Sequence, residues 1–173
     1  NKSSNTIGGL ISGTGDLLID GQDRNINSDA PSGQLNITSA SNPLTGAVTV
    51  DNATVQMNGD NALGTGTLTL NSSHTNGAIA RLKNNGNGTT PALDNAVTIG
   101  TGGAELMAGW NQSLTLNGDL SGSGNLTIVA DSGTVYVNNS GGSYTGTNTV
   151  QSGAKLGGFG SVGGAMIMET NST

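Results

Sequence analysis

Side chains able to do chemistry are few in this sequence, and they do not gather. The 173 residues hold one His, no Cys, five Lys and Arg together, and eleven Asp and Glu together. Cleavage of a polysaccharide on a β-rich scaffold would need clustered carboxylates or a basic catalyst, with aromatic platforms for the sugar rings. The imidazole of His74 stands in the turn Ser72-Ser73-His74-Thr75 and reads as a solvated loop residue. Trp110, Tyr136, Tyr144 and Phe159 are scattered along the chain, and Trp110, in Gly109-Trp110-Asn111, reads as packing at a corner. No catalytic residue is assigned, and a lyase or hydrolase is kept only as an alternative.

Two stretches carry the outline of a ligand motif. Gly158-Phe159-Gly160-Ser161-Val162-Gly163 fits the spacing of a dinucleotide-binding turn. That motif works only between a strand and a helix whose N-terminus meets the pyrophosphate. Here the next residues, Gly164 to Met168, read as another strand, so a turn is expected and no cofactor. Gly13-Thr14-Gly15-Asp16-Leu17 resembles the calcium-binding nonapeptide solenoids, whose ligands are Asp residues repeated every turn. Asn125 stands at the corresponding place in a second copy of this segment, and the spacing is not that of the nonapeptide, so no metal ligand is assigned. Asp20, Asp23 and Asn25 are the remaining oxygen-rich group, a weak calcium candidate at best by composition.

Charge narrows the partners. The net charge is −6, and Lys2, Arg24, Arg81, Lys83 and Lys155 cannot assemble a basic patch, which argues against nucleic acid and anionic membrane surfaces. No run approaches 18 apolar residues, so direct membrane insertion through a helix is not expected. The start lacks a basic region followed by an apolar run, and the chain reads as a piece of a longer protein. The Asn-x-Ser/Thr triplets, among them Asn36, Asn52 and Asn125, follow from a composition rich in Asn, Ser and Thr.

The elements that would have to position any site are short strands. Apolar residues alternate with polar ones at Leu35 and Ile37, Val48 and Val50, Val55 and Met57, and Leu68 and Leu70. The pattern continues at Val97 and Ile99, Leu114 and Leu116, Leu126 and Ile128, and Val135 and Val137. A period of two marks a strand with one buried face. Turn signals such as Asn58-Gly59-Asp60-Asn61, Asn117-Gly118-Asp119 and Asn138 to Gly142 separate them, and no helix is expected. With 30 Gly in the chain, the entropy lost on ordering the backbone must be offset by dense, regular burial of Leu, Ile and Val. Each such side chain contributes about 1.5–3 kcal/mol.

A sandwich or a barrel could show the same alternation. Internal repetition separates the options. LISGTGDLLI, from Leu10 to Ile19, reappears as DLSGSGNLTI from Asp119 to Ile128. Gly33 to Ile37 matches Gly133 to Val137, and Leu44-Thr45-Gly46 matches Tyr144-Thr145-Gly146. The order of the pieces is kept, which points to a solenoid. The first copy is expanded between Ile19 and Gly33, so Asp20 to Ser32, with Asp20, Asp23, Arg24 and Asp29, is expected to project as a loop.

The segment DLSGSGNLTI, the following Gly133 to Val137, the Ser143-Tyr144-Thr145-Gly146 turn, the Thr149-Val150 strand and LGGFGSVGG from Leu156 to Gly164 resemble the autotransporter-associated β-strand repeat. NALGTGTLTL, from Asn61 to Leu70, is similar to the connecting strand of such passengers. Thr147 stands where the family commonly has a second Gly, and the first copy has Leu44 for the aromatic and Ala47 for that Gly. The resemblance implies an all-β fold, a right-handed single-stranded parallel β-helix of roughly seven or eight rungs. Residues 1–173 would form one segment of it. It further implies an extracellular stalk on the bacterial surface, whose partners are its neighbouring rungs and a C-terminal translocator barrel of the same chain. It brings no catalytic residue. Host or cell-surface ligands would enter through an adhesive role, by way of the Asp20 to Ser32 loop or a face rich in Thr and Asn.

Overall fold

The computed structural model describes residues 4–21, 33–74, 78–84, 88 and 90–173, and among them every regular element is a strand. In chain order these are β1 (Ser4–Ile7), β2 (Leu17–Asp20), β3 (Gln34–Ile37), β4 (Val48–Asp51), β5 (Thr54–Met57) and β6 (Leu68–Asn71). There follow β7 (Arg81–Asn84), β8 (Ala92–Leu93), β9 (Val97–Ile99), β10 (Ala104–Ala108), β11 (Ser113–Leu116) and β12 (Leu120–Gly122). The last are β13 (Leu126–Val129), β14 (Thr134–Val137), β15 (Asn148–Val150), β16 (Lys155–Gly157) and β17 (Met166–Met168). All eight alternating pairs read from the sequence fall on strands.

The strands form three sheets, all parallel. The long sheet has eight strands in the order β1-β3-β5-β7-β10-β13-β15-β17, the middle sheet has five, β12-β9-β6-β4-β2, and the short sheet has four, β16-β14-β11-β8. Spatial order follows chain order in each sheet, so the chain leaves a sheet, passes through another and returns beside its own previous pass. Leu126 pairs with Ala104 one pass before and with Asn148 one pass after, 22 residues away in either direction.

This register stacks like on like. In the long sheet Leu35, Val55, Leu82, Leu106, Ile128 and Val150 succeed one another across the strands. In the middle sheet Val48, Leu68, Val97 and Leu120 do the same, and in the short sheet Leu93, Leu116 and Val137. These ladders join in one apolar core from Ile37 to Ala154. Parallel strands a dozen or more residues apart leave no local hairpin to help, so the core and the ladder hydrogen bonds carry the stability.

Glycine is required where successive passes touch at the corners. A Cβ on Gly124 would overlap the carbonyl of Gly100, one on Gly146 would overlap that of Gly124, and one on Gly164 that of Gly146. A second column, Gly15, Gly46 and Gly66, does the same before the middle sheet. Buried asparagines tie other corners together. Asn42 Nδ2 donates to the carbonyl of Ala62 at 2.6 Å while its Oδ1 accepts from the Ile11 amide at 2.9 Å. Asn95 Nδ2 reaches the carbonyls of Gly64 and Gly66, and Asn148 Nδ2 that of Gly163. Each amide satisfies backbone groups that the turns leave without a ladder partner.

The long-period repeat has an unexpected placement. Its first copy puts β2 in the middle sheet and β3 in the long sheet, whereas the matching segments of the second copy are β13 in the long sheet and β14 in the short one. The repeated sequence therefore recurs on different pairs of sheets, with alternating aliphatics in each of its strands.

Candidate functional site

The residues singled out for possible chemistry are dispersed by the fold. His74 is exposed after β6, its amide donating to Asn52 Oδ1 at 3.1 Å. Gly158 to Gly163 lies between two strands, β16 and β17, with no helix after it. Tyr144 is buried to 4% exposure, and its hydroxyl donates to the carbonyl of Gly124 at 2.8 Å, fixing the corner of one pass on the next. Burial holds the phenol above its ordinary range. Asp16 accepts the Ala47 amide at 2.9 Å, a corner contact of the same kind. Asp23 and Asn25 of the calcium candidate, and the expanded stretch from residue 22 to 32, lie outside the described residues. Asp20 closes β2 beside Asp51, whose carboxylate accepts from the amide and hydroxyl of Ser73. Among the described residues no three His, Cys, Asp or Glu side chains converge.

Trp110 differs from its expected place. It sits in the turn after β10 and is 71% exposed, because the turn aims the indole outward instead of into the core.

What the fold does bring together is on the outer faces of the sheets, and two of these faces are built differently. On the long sheet, outward residues of β1, β3 and β5, and of β7 and β10, bond one another. Gln34 Nε2 donates to Asn36 Oδ1 at 2.6 Å and to Gln56 Oε1 at 3.0 Å, and Asn36 Nδ2 reaches Ser4 Oγ at 2.8 Å. Arg81 and Glu105, direct partners on β7 and β10, form an ion pair with Arg81 Nε donating to Glu105 Oε2 at 2.6 Å. Arg81, two residues before Lys83, is thus neutralised by its neighbour on the next strand.

The short sheet has no such ladder. Thr115 on β11 faces Tyr136 on β14, and Tyr136 faces Gly157 on β16. The missing side chain of Gly157 leaves room for the Tyr136 ring, which lies 3.0 Å from where a Cβ would stand. Phe159 follows two residues later and is 90% exposed. Tyr136 and Phe159, with Thr90, Ser113, Thr115 and Asn138, line a shallow groove of about 440 Å³. The side chains of Thr90, Ser113, Thr115, Tyr136 and Asn138 make no hydrogen bond to any described residue, and the buried Oδ1 of Asn138 is unsatisfied. Lys155 is the one charged residue on the four strands of this sheet; it stands at their start, with its Nζ toward the Ser132 carbonyl at 3.5 Å.

The grouping of Tyr136 with Phe159 was not visible from the sequence, where they are 23 positions apart. A usable signal was present: Tyr136 holds an outward position between Val135 and Val137, and the Leu-Gly-Gly-Phe run supplies a strand with a small residue to receive the ring.

No family model, no curated protein and no solved structure matches this chain.

Proposed function

We propose that this chain is a stretch of right-handed parallel β-helix acting as an extracellular stalk. It would belong to a passenger like those of bacterial autotransporters and display other modules at the cell surface. The observation that carries the reading is the uninterrupted eight-stranded parallel sheet, in which each pass is laid in register on the last. Right-handedness follows from the general rule for parallel crossovers. Eight levels about 4.8 Å apart give a rod of roughly 35 Å. The motifs from Asp119 to Gly164 supply the link to secreted passengers, with a C-terminal translocator barrel as the partner expected in the same polypeptide.

A spacer built from equivalent passes tolerates loss of one. In the full-length protein, in-frame removal of 126–147 should leave the activity of a module beyond the stalk intact, and loss of that activity would overturn the spacer role. An epitope inserted between Asp20 and Ser32 should be reached by antibody on intact cells; labelling only after lysis would overturn the extracellular assignment.

An adhesive role is the second reading, favoured by the groove of unpaired polar groups and exposed aromatic rings on the short sheet.

A further inference from the structure

We infer that the outer face of the short sheet is a binding groove for a neutral, unbranched oligosaccharide. The inference deepens the adhesive reading and takes from it that this face meets the outside medium; the groove itself is a property of β11, β14 and β16 and does not depend on the spacer role.

Three observations select the ligand class. First, the lining is uncharged: Thr90, Ser113, Thr115, Tyr136, Asn138 and Phe159 supply hydroxyls, an amide and two aromatic rings. An acidic polysaccharide or a nucleic acid would need cations there, and the one Lys of the sheet, Lys155, stands two strands from Ser113 in the same row, outside the lining and with its Nζ toward the Ser132 carbonyl. Second, these polar side chains have no partner among the described residues, in contrast to Gln34, Asn36, Arg81 and Glu105 of the long sheet. Hydroxyl and amide groups both donate and accept, which matches the hydroxyls of a sugar. An apolar protein surface laid on them would instead remove them from water without compensation. Third, the rings are presented for contact. Tyr136 is held against Gly157, so little side-chain entropy remains to be lost on binding, and Phe159 is almost wholly free on its outer side. An aromatic face packs against the C–H face of a pyranose while the edges of the sugar stay polar, a division that suits an amphipathic platform. The volume lies at the small-ligand end of binding clefts, room for a few sugar units along an open-ended groove.

The test is calorimetric titration of the intact chain with linear neutral hexose oligomers of glucose, mannose and galactose. Polygalacturonate and an apolar peptide serve as competing classes. Binding of at least one neutral oligomer is expected. Tyr136→Ala combined with Phe159→Ala should lower its affinity at least about tenfold, and Thr115→Val about threefold, with the circular dichroism spectrum and melting temperature unchanged. Thr115→Val keeps the shape of the side chain, so it also guards against a folding defect in the double variant. Glu105→Gln on the long sheet should leave binding unaltered. The proposal is overturned if no neutral oligomer binds, if the double variant binds as well as the parent, or if only the acidic polymer or the peptide binds. None of these results touches the spacer role, which is read from the distal module.

Discussion

The outer faces of the long and short sheets rest on the same kind of core and share the same parallel register, yet among the described residues one carries side-chain cross-links between several of its strands and the other carries none. On the long sheet, Gln34, Asn36 and Gln56 exchange hydrogen bonds and Arg81 meets Glu105, so outward polarity serves cohesion between passes. On the short sheet, the side chains of Ser113, Thr115 and Asn138 make no hydrogen bond to a described residue and stand beside two aromatic rings. The difference teaches that solvent-facing positions of a regular strand stack are not equivalent. Where neighbouring outward residues can pair, they stabilise; where they cannot, they are available to something else.

The largest expected effects come from the core beneath both faces. Leu106→Ala, between Leu82 and Ile128, and Leu114→Ala, against Val135, should each cost about 2–5 kcal/mol in denaturant unfolding. A negligible cost at Leu114 would mean that the short sheet is not packed as the long one is, and the comparison would fail at its foundation. Next in size is the corner column. Gly124→Val pushes a side chain into the Gly100 carbonyl and should destabilise by about 1–3 kcal/mol.

The faces themselves separate at the next level. Arg81→Ala leaves the buried Glu105 carboxylate without its ion-pair partner and should cost about 1–3 kcal/mol. Thr115→Val should change stability by less than about 0.5 kcal/mol. Equal losses at the two positions, measured by thermal or urea unfolding, would erase the distinction.

The smallest effect is in acid. Asp94 accepts from Asn117 Nδ2 at 2.8 Å and from Asn61 Nδ2 at 3.1 Å, and these bonds, the Asn117 one foremost, hold its carboxyl below the usual range. A depressed folded pKa gives stability that is present above the unfolded carboxylate value, near 3.8, and is lost as pH falls through the lower folded value. Because Asp94 is exposed, the contribution should stay within about 0.5 kcal/mol. The gap in melting temperature between the parent and Asp94→Ala should therefore narrow as the pH falls below 3.8 and vanish below the folded value; a gap that does not narrow on acidification would assign the effect to something other than the carboxylate.

Much of this architecture is legible in the residues. Alternation at Val48 and Val50 or Leu114 and Leu116 marks a strand because one side of it must be buried, and the ordered repeats exclude an arrangement of unrelated strands. The strand Arg81–Asn84 is not legible: it holds one apolar residue, Leu82, and is recruited by its neighbours Val55 and Leu106. The sheet to which a repeat belongs is equally hidden, because the same repeated sequence lies on different pairs of sheets. The groove is hidden too, since Tyr136 and Phe159 come to line it through the register of β14 on β16, and register is a long-range property. The expectation that Trp110 packs failed where an outward turn decided the direction of the side chain. Asparagines outside the turn signals named from the sequence include buried clamps such as Asn42 and Asn95.

The claim on which the rest depends is that each pass of the chain lies beside the previous one in this register. The chain holds no Cys, so a pair can be introduced without interference. Thr98 and Ser121 are direct partners on β9 and β12, their hydroxyl oxygens 3.0 Å apart. The double variant Thr98→Cys with Ser121→Cys should close an intramolecular disulfide under mild oxidation, seen as faster migration of the monomer without reductant. Thr98→Cys with Thr115→Cys, on different sheets, should not. Closure of the second pair, or failure of the first, would contradict the parallel stack.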